Sequence, residues 1–225
     1  MKRPHAIALD IVETVFALEP LAARLKSAGL PETALRLFFA QMLRDAFALE
    51  ASGVFKPFKE VAAASLAVVM ANHGVAAEQA KIQSVLAGFA ELPPHPDVAP
   101  ALERMEGAGL RIIALTNGGA ENTLKLLDRA HLTSFVEKVI SIEEVRRWKP
   151  NREVYLHAAR AIGVEPARLA LIAAHAWDVH GAKQAGLCGA WVKRQDKAYQ
   201  AAMQPPDVQG DSMLEVAEAL IALPG

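Results

Sequence analysis

The sequence predicts an α/β protein in which a parallel, doubly wound sheet is interrupted near its start by an all-helical insert. Two observations carry that expectation. From residue 93 onward, short apolar runs closed by a polar residue alternate with helical patterns, the signature of βαβ units. Between Ala17 and Leu92, by contrast, no stretch reads as a strand, and helix-like segments are separated by Gly and Pro.

The expected strands are AIALD (6–10), RIIALT (111–116), KVISI (138–142) and LALIAA (169–174), with GAWVK (189–193) as a fifth. VAPALERMEGAG leads helically into the second, ENTLKLLDRAHL follows it, and NREVYLHAARAIGV joins the third to the fourth. The insert contains the helical stretches ETALRLFFAQMLRDAFALEA and FKEVAAASLAVVMANHG, and returns through ELPPHPDVAP, whose prolines suit a stiff connection. The expected division is therefore a core of residues 1–16 and 93–225 and a helical cap of residues 17–92. An insert rooted beside Asp10 is placed to cover it as a lid and exclude water.

Composition narrows the function classes. The chain has 225 residues, 52% of them apolar, enough for one ample core. No uncharged apolar run approaches the roughly 20 residues needed to cross a bilayer, so no membrane partner is expected. The start MKRPHAIALD has the basic-then-apolar order of a signal peptide, but Asp10 interrupts the apolar stretch early, and the expected location is cytoplasmic. Net charge is −1 and the basic residues are scattered, which gives nucleic-acid binding no electrostatic support and points to a small-molecule substrate. Cys188 is the single cysteine, excluding an intramolecular disulfide framework and any cysteine-cluster metal site; in AGLCGAWV it reads as a packing residue.

Asp10 closes the first strand and is, taken alone, a helix cap, a metal ligand or a nucleophile. The other strand ends add chemistry to it. LTNGG supplies Thr116 and Asn117, RRWKP supplies Lys149, and AAHAWD supplies Asp178. In a parallel sheet these ends share one edge, so a carboxylate, a hydroxyl, an ammonium and a second carboxylate meet there.

In this order the motifs resemble the haloacid dehalogenase superfamily and, within it, the L-2-haloacid dehalogenases. Asp10 with Thr14 is similar to the first motif, LTNGG to the second, WKPNREVY to the third and AHAWD to the fourth, so the resemblance spans nearly the whole chain. It implies a Rossmann-like core with an inserted helical cap. It also implies that Asp10 displaces halide from C2 of the substrate with inversion, after which water hydrolyses the aspartyl ester. Lys149 would keep Asp10 ionised and oriented, and Asp178 would hold Lys149 or position the hydrolytic water, with helix capping as its structural alternative. Thr14 and Thr116 would donate to the nucleophile or the substrate carboxylate, or cap a following helix. By the same resemblance Asn117 and Trp177 lie near the halide and Tyr155 near the lysine, although ordinary core packing also accounts for Trp177 and Tyr155.

Several positions depart from the family pattern. The superfamily's phosphatases carry a second Asp two residues after the nucleophile, where this chain has Val12, and an acid four residues before Asp178, where it has Ala174. Magnesium prefers several oxygen ligands, so the expectation is no metal and no cofactor. The dehalogenases' Tyr and Gly in the first motif are replaced by Val12 and Glu13. In the fourth motif Ala173 and Ala174 stand where serine is frequent and His175 where asparagine is familiar. His175 is either a donor or base in the site or a structural histidine. The family's halide-binding cap arginine falls near Phe39, with Arg36 before it and Arg44 after it; Arg44 is the candidate, against the alternative of an exposed helix charge. Phe38, Phe39 and Phe47 either form a homodimer face or close the cap core. The function expected is metal-independent hydrolysis of short 2-haloacids to 2-hydroxyacids. The alternatives are a small-molecule phosphatase of the same superfamily and a catalytically weak relative that binds a small carboxylate.

Overall fold

The computed structural model describes residues 2–225. Its sheet is built from β1 (Ala6–Leu9), β2 (Arg111–Thr116), β3 (Lys138–Ser141), β4 (Leu169–Ala173), β5 (Cys188–Val192) and β6 (Val208–Gly210). All neighbours pair in parallel, in the spatial order β3-β2-β1-β4-β5-β6. The first five strands fall within a residue of the runs expected from sequence. β6 escaped that reading because VQG is three residues long with an exposed polar centre, too short for any periodicity to register.

β1 is hydrogen-bonded on both sides, Leu9 lying opposite Ala114 of β2 and Ile172 of β4, which explains why all four of its side chains are buried and apolar. The strand order turns around between β1 and β4, so the crevice of this sheet opens at their carboxyl ends. Asp10 sits there, its backbone N–H still bonded to the Ile172 carbonyl at 3.0 Å.

Between β1 and β2 the chain forms α1 (Leu21–Ser27), α2 (Ala34–Ala51), α3 (Phe58–Asn72) and α4 (Gln79–Ala87), with no strand among them. The outgoing and returning chain lie side by side: Ala17 N–H donates to the Pro93 carbonyl at 2.9 Å and His95 N–H to the Val15 carbonyl at 2.9 Å. α2 owes its orientation to Leu35, Phe38, Phe39, Met42 and Ala46, a stripe at helical spacing that is buried throughout. Phe38 packs edge-on to Phe89 with ring centroids 6.4 Å apart, and Phe47 edge-on to Trp177 at 5.2 Å, so these aromatics are engaged within the chain.

This helical segment is tied down over the carboxyl ends of the strands. Glu50, near the end of α2, accepts from Arg147 Nε at 2.6 Å, from the Trp148 backbone N–H at 2.8 Å and from Asn151 Nδ2 at 2.7 Å. The fully buried Trp148 donates its indole N–H to the Lys56 carbonyl at 2.9 Å. The remaining helices, α5 (Val98–Gly107), α6 (Ala120–Arg129), α7 (Arg152–Ala161), α8 (Ala176–Gln184) and α9 (Met213–Ile221), flank the sheet. Asn151 caps α7, its side chain accepting from the Glu153 N–H at 2.9 Å. Cys188 is a buried residue of β5, its thiol pushed up to about 12 by burial and then by the charge of Asp207, in keeping with a packing role. Among the described residues no helix is long and apolar enough to cross a membrane.

Candidate active site

The end of β1 fixes the centre of the site. Asp10 is not followed by a helix; the chain instead turns tightly, with Val15 and Phe16 N–H groups both bonded to the Ile11 carbonyl at 3.0 Å. That turn brings Thr14 back over Asp10. Its hydroxyl donates to Asp10 Oδ2 at 2.6 Å and accepts from the Ala174 N–H at 2.9 Å, tying the loop after β1 to the loop after β4. The turn is held from outside by Arg194, whose guanidinium donates to the Thr14 carbonyl at 3.3 Å and binds both oxygens of Asp97 at 2.9 Å. The carboxyl of Asp97 is held below its usual range: burial acts upward and is outweighed by the bonds from Arg194 and the Met213 N–H.

Lys149 arrives from the loop after β3, behind a cis peptide to Pro150. It is completely buried, and its ammonium donates to Asp10 Oδ1 at 2.8 Å, Asp178 Oδ2 at 2.7 Å and the Leu115 carbonyl at 3.0 Å, using all three of its hydrogens. Burial pulls its pKa down, but the charges of Asp10 and then Asp178 more than offset that, and the net shift is upward. Asp178 Oδ1 accepts from the Tyr155 hydroxyl at 2.6 Å. Burial raises the Asp178 carboxyl; Lys149 opposes and Asp10 reinforces that shift, which is upward overall. Burial followed by the charge of Asp178 holds Tyr155 well above its ordinary value, so it remains a phenol and a donor.

A small cavity of about 20 Å³, room for about one water, lies on the open side of Asp10, walled by Val12, Phe39, Met42, Phe58, Trp148, His175 and Trp177 with Thr116, Asn117 and Gly118. An open cleft of about 840 Å³ adjoins it, sharing Val12, Phe58, Thr116 and Gly118, and runs outward past α3, α4 and α6. Trp177 contributes an indole N–H that is buried without a hydrogen-bond partner. Thr116 Oγ accepts from the Gly118 N–H at 2.9 Å and Asn117 Oδ1 from the Lys149 N–H at 3.1 Å, so both also shape the loops that line the cavity.

Asp10, Thr14, Thr116, Asn117, Lys149, Tyr155, His175, Trp177 and Asp178 are thus gathered at one edge of the sheet. Arg44 is not. It points to solvent from the outer face of α2, paired with its neighbour Asp45 at 2.7 Å, because two residues along a helix from the inward Met42 is the far side. Phe39 holds the inward position instead. Arg36 reaches the rim, where it meets Glu13 Oε1 at 3.2 Å and Glu19 at 3.4 Å.

Glu13 was legible in the sequence only as a departure from the family's glycine. It is buried and adopts a left-handed backbone (φ 67°), a conformation that costs a side-chain-bearing residue on the order of 1 kcal/mol or more. Its N–H bonds to the Phe16 carbonyl at 2.8 Å and its carbonyl contacts His95 Nε2 at 3.1 Å. Its carboxylate meets His175 Nε2 at 2.7 Å. The other ring nitrogen, Nδ1, is buried without a hydrogen-bond partner, 3.9 Å from Asp10 Oδ2. His175 stacks on Trp177 with centroids 5.3 Å apart. Burial lowers its pKa, yet the bond to Glu13 and the charge of Asp10 reverse that and the net shift is upward.

The donor set does not suit a magnesium ion. Both oxygens of Asp10 are bound by Lys149 and Thr14, both oxygens of Asp178 by Lys149 and Tyr155, and Val12 and Ala174 add no side-chain ligand. Among the described residues no group of three acidic, histidine or cysteine side chains is placed to hold a metal.

A family model described as haloacid dehalogenase-like hydrolase matches residues 5–186. Among characterised relatives, an (S)-2-haloacid dehalogenase of Pseudomonas putida is 24% identical over 201 residues, covering 88% of this chain and 90% of its own. A haloacetate dehalogenase of Moraxella sp. (strain B) is 24% identical over 209 residues, covering 92% and 93%. Among solved structures, the L-2-haloacid dehalogenase of Xanthobacter autotrophicus with chloropropionic acid covalently bound superposes with a TM-score of 0.90 at 21% identity, over 97% of this chain and 99% of that one.

Proposed function

Because this chain belongs to the haloacid dehalogenase-like hydrolases, we propose that it hydrolyses short 2-haloacids without a metal, through an ester on Asp10, releasing halide and a 2-hydroxyacid. The observation that carries this reading is the environment of Asp10: a carboxylate fixed by Lys149 on one oxygen and Thr14 on the other, facing a small cavity walled largely by aromatic and aliphatic side chains. A carboxylate is a weak nucleophile in water, and desolvation with fixed orientation is what makes in-line displacement feasible for it. In that step an Asp10 oxygen bonds to C2 while the carbon–halogen bond breaks and the halide leaves with the electron pair. The buried indole N–H of Trp177 is a donor available to that anion, beside Asn117.

Phe39 in place of a guanidinium leaves the halide end of the pocket less charged than the family resemblance implies, and favours halides that leave readily. The proposed cap role of residues 17–92 follows from the same cavity. At about 20 Å³ it is too small for a haloacid, so α2 and α3 must move off the strand ends to admit one, and the adjoining cleft marks the side of entry. The activities of the relatives, on 2-haloacids and on haloacetate, agree with a short substrate.

The test is halide release from L-2-chloropropionate and from chloroacetate in the presence of a chelator. The expected result is turnover that added magnesium does not increase and that Asp10→Asn abolishes while leaving the fold intact. Retained activity in Asp10→Asn, or phosphate ester hydrolysis that depends on magnesium, contradicts the proposal.

A further inference from the structure

Building on the proposed dehalogenase reading, we infer that Glu13 and His175 form an acid–histidine pair whose Nδ1 takes the proton from the water that hydrolyses the Asp10 ester. Three features of the geometry lead there. A carboxylate only accepts hydrogen bonds, so the 2.7 Å contact with Glu13 places a hydrogen on Nε2 and, in the neutral ring, leaves the lone pair on Nδ1. Nδ1 is buried without a partner and stands 3.9 Å from Asp10 Oδ2, so a water admitted beside it when the helices over the site move can donate to it within reach of the Asp10 carboxyl carbon. The cavity that Asp10 and His175 both line holds about one water.

Glu13 acts through the histidine and is a positioning residue. It occupies a left-handed backbone position that glycine would take without strain, and its side chain is committed to His175 and, at 3.2 Å, to Arg36. The step balances without a further reactant. A water proton moves to Nδ1 as the water oxygen bonds to Cγ of Asp10. The tetrahedral centre then collapses, breaking the bond from Cγ to the ester oxygen, and the departing alkoxide takes the proton back from Nδ1. Asp10 is regenerated as the carboxylic acid, carrying the water's oxygen and second hydrogen, and returns to the carboxylate by releasing that proton to solvent, while His175 is neutral again.

The charges facing His175 give the step its timing. Asp10, Glu13 and Asp178 raise its pKa against burial, Arg36 neutralises the far side of Glu13, and Lys149 neutralises Asp10 and Asp178. Esterification removes the charge of Asp10, one of the groups that keeps a proton on the ring. The imidazole is thereby released as a base when the water needs one.

The experiment follows halide release and intact protein mass after mixing the whole protein with excess chloroacetate. Wild type turns over continuously. His175→Gln is expected to release one halide per active site, stop with a carboxymethyl group on Asp10, and show steady-state turnover reduced by about a hundredfold or more, the usual contribution of a general base. The burst also certifies that the variant's site is folded. Glu13→Gln is expected to slow ester hydrolysis and shift its acidic limb to lower pH, because loss of the Glu13 charge lowers the His175 pKa; a purely structural Glu13 would leave that limb in place. Wild-type turnover in His175→Gln, or loss of its halide burst, overturns the inference while leaving the dehalogenase reading standing. Absence of halide release by the wild type removes both.

Discussion

Lys149 has no solvent contact and three acceptors around its ammonium, so its charge depends entirely on Asp10, Asp178 and the Leu115 carbonyl. Because its folded pKa is raised above the ordinary 10.5, the stabilisation it brings is full below that value and is lost as pH climbs through the folded value. Removing the cation leaves two buried carboxylates facing each other. Lys149→Met is expected to cost about 3–5 kcal/mol near neutral pH. The penalty should shrink as pH falls, because one of the two carboxyls then takes up a proton and the unpaired charge disappears. Urea denaturation of both proteins at neutral and acidic pH measures this, and a penalty independent of pH would contradict the pairing described. The same residue shows what sequence can and cannot disclose. WKP in its place after the third strand marked Lys149 as a candidate for the site, but nothing in the sequence linked Glu13 to His175, which lie far apart in the chain and meet only because the loops after β1 and β4 are neighbours at the sheet edge.

At the scale of elements, α8 has to approach the loop after β3 closely for Tyr155 and Lys149 to reach Asp178, and Gly181 permits it. A Cβ there would stand 2.5 Å from Pro150 Cβ, 2.7 Å from the Tyr155 hydroxyl and 3.0 Å from Pro150 Cα. Gly181→Ala is therefore expected to lower stability by about 1–3 kcal/mol through overpacking. It should also reduce kcat by about tenfold or more by displacing the residue next to Lys149, since misplacement on the order of 1 Å can cost about a hundredfold. Thermal denaturation together with steady-state kinetics checks both, and an Ala variant with wild-type kcat would show that this contact does not position the lysine. α2 teaches the converse lesson. Its inward stripe from Leu35 through Ala46 is plain in the sequence and places Arg44 on the outside, as the exposed helix charge that was the alternative to a halide ligand.

Across the whole molecule, the parallel sheet was legible because β1, β2 and β4 are buried on both faces and read as uninterrupted apolar runs, and the helical segment because it lacks any such run. What remained hidden was how narrow the helices leave the site, since the small cavity at Asp10 is walled by Phe39, Phe58 and Trp177 from three different elements. In the proposed covalent route this small pocket would form the ester, and water would then be admitted to the carboxyl carbon beside His175. The most direct measurement is a single turnover with the protein in excess over L-2-chloropropionate in water labelled with heavy oxygen. The account predicts unlabelled 2-hydroxypropionate in that first turnover, its new oxygen coming from Asp10, and label retained in the protein at Asp10. Label in the product of the first turnover would mean that water attacks C2 directly and would contradict the ester route.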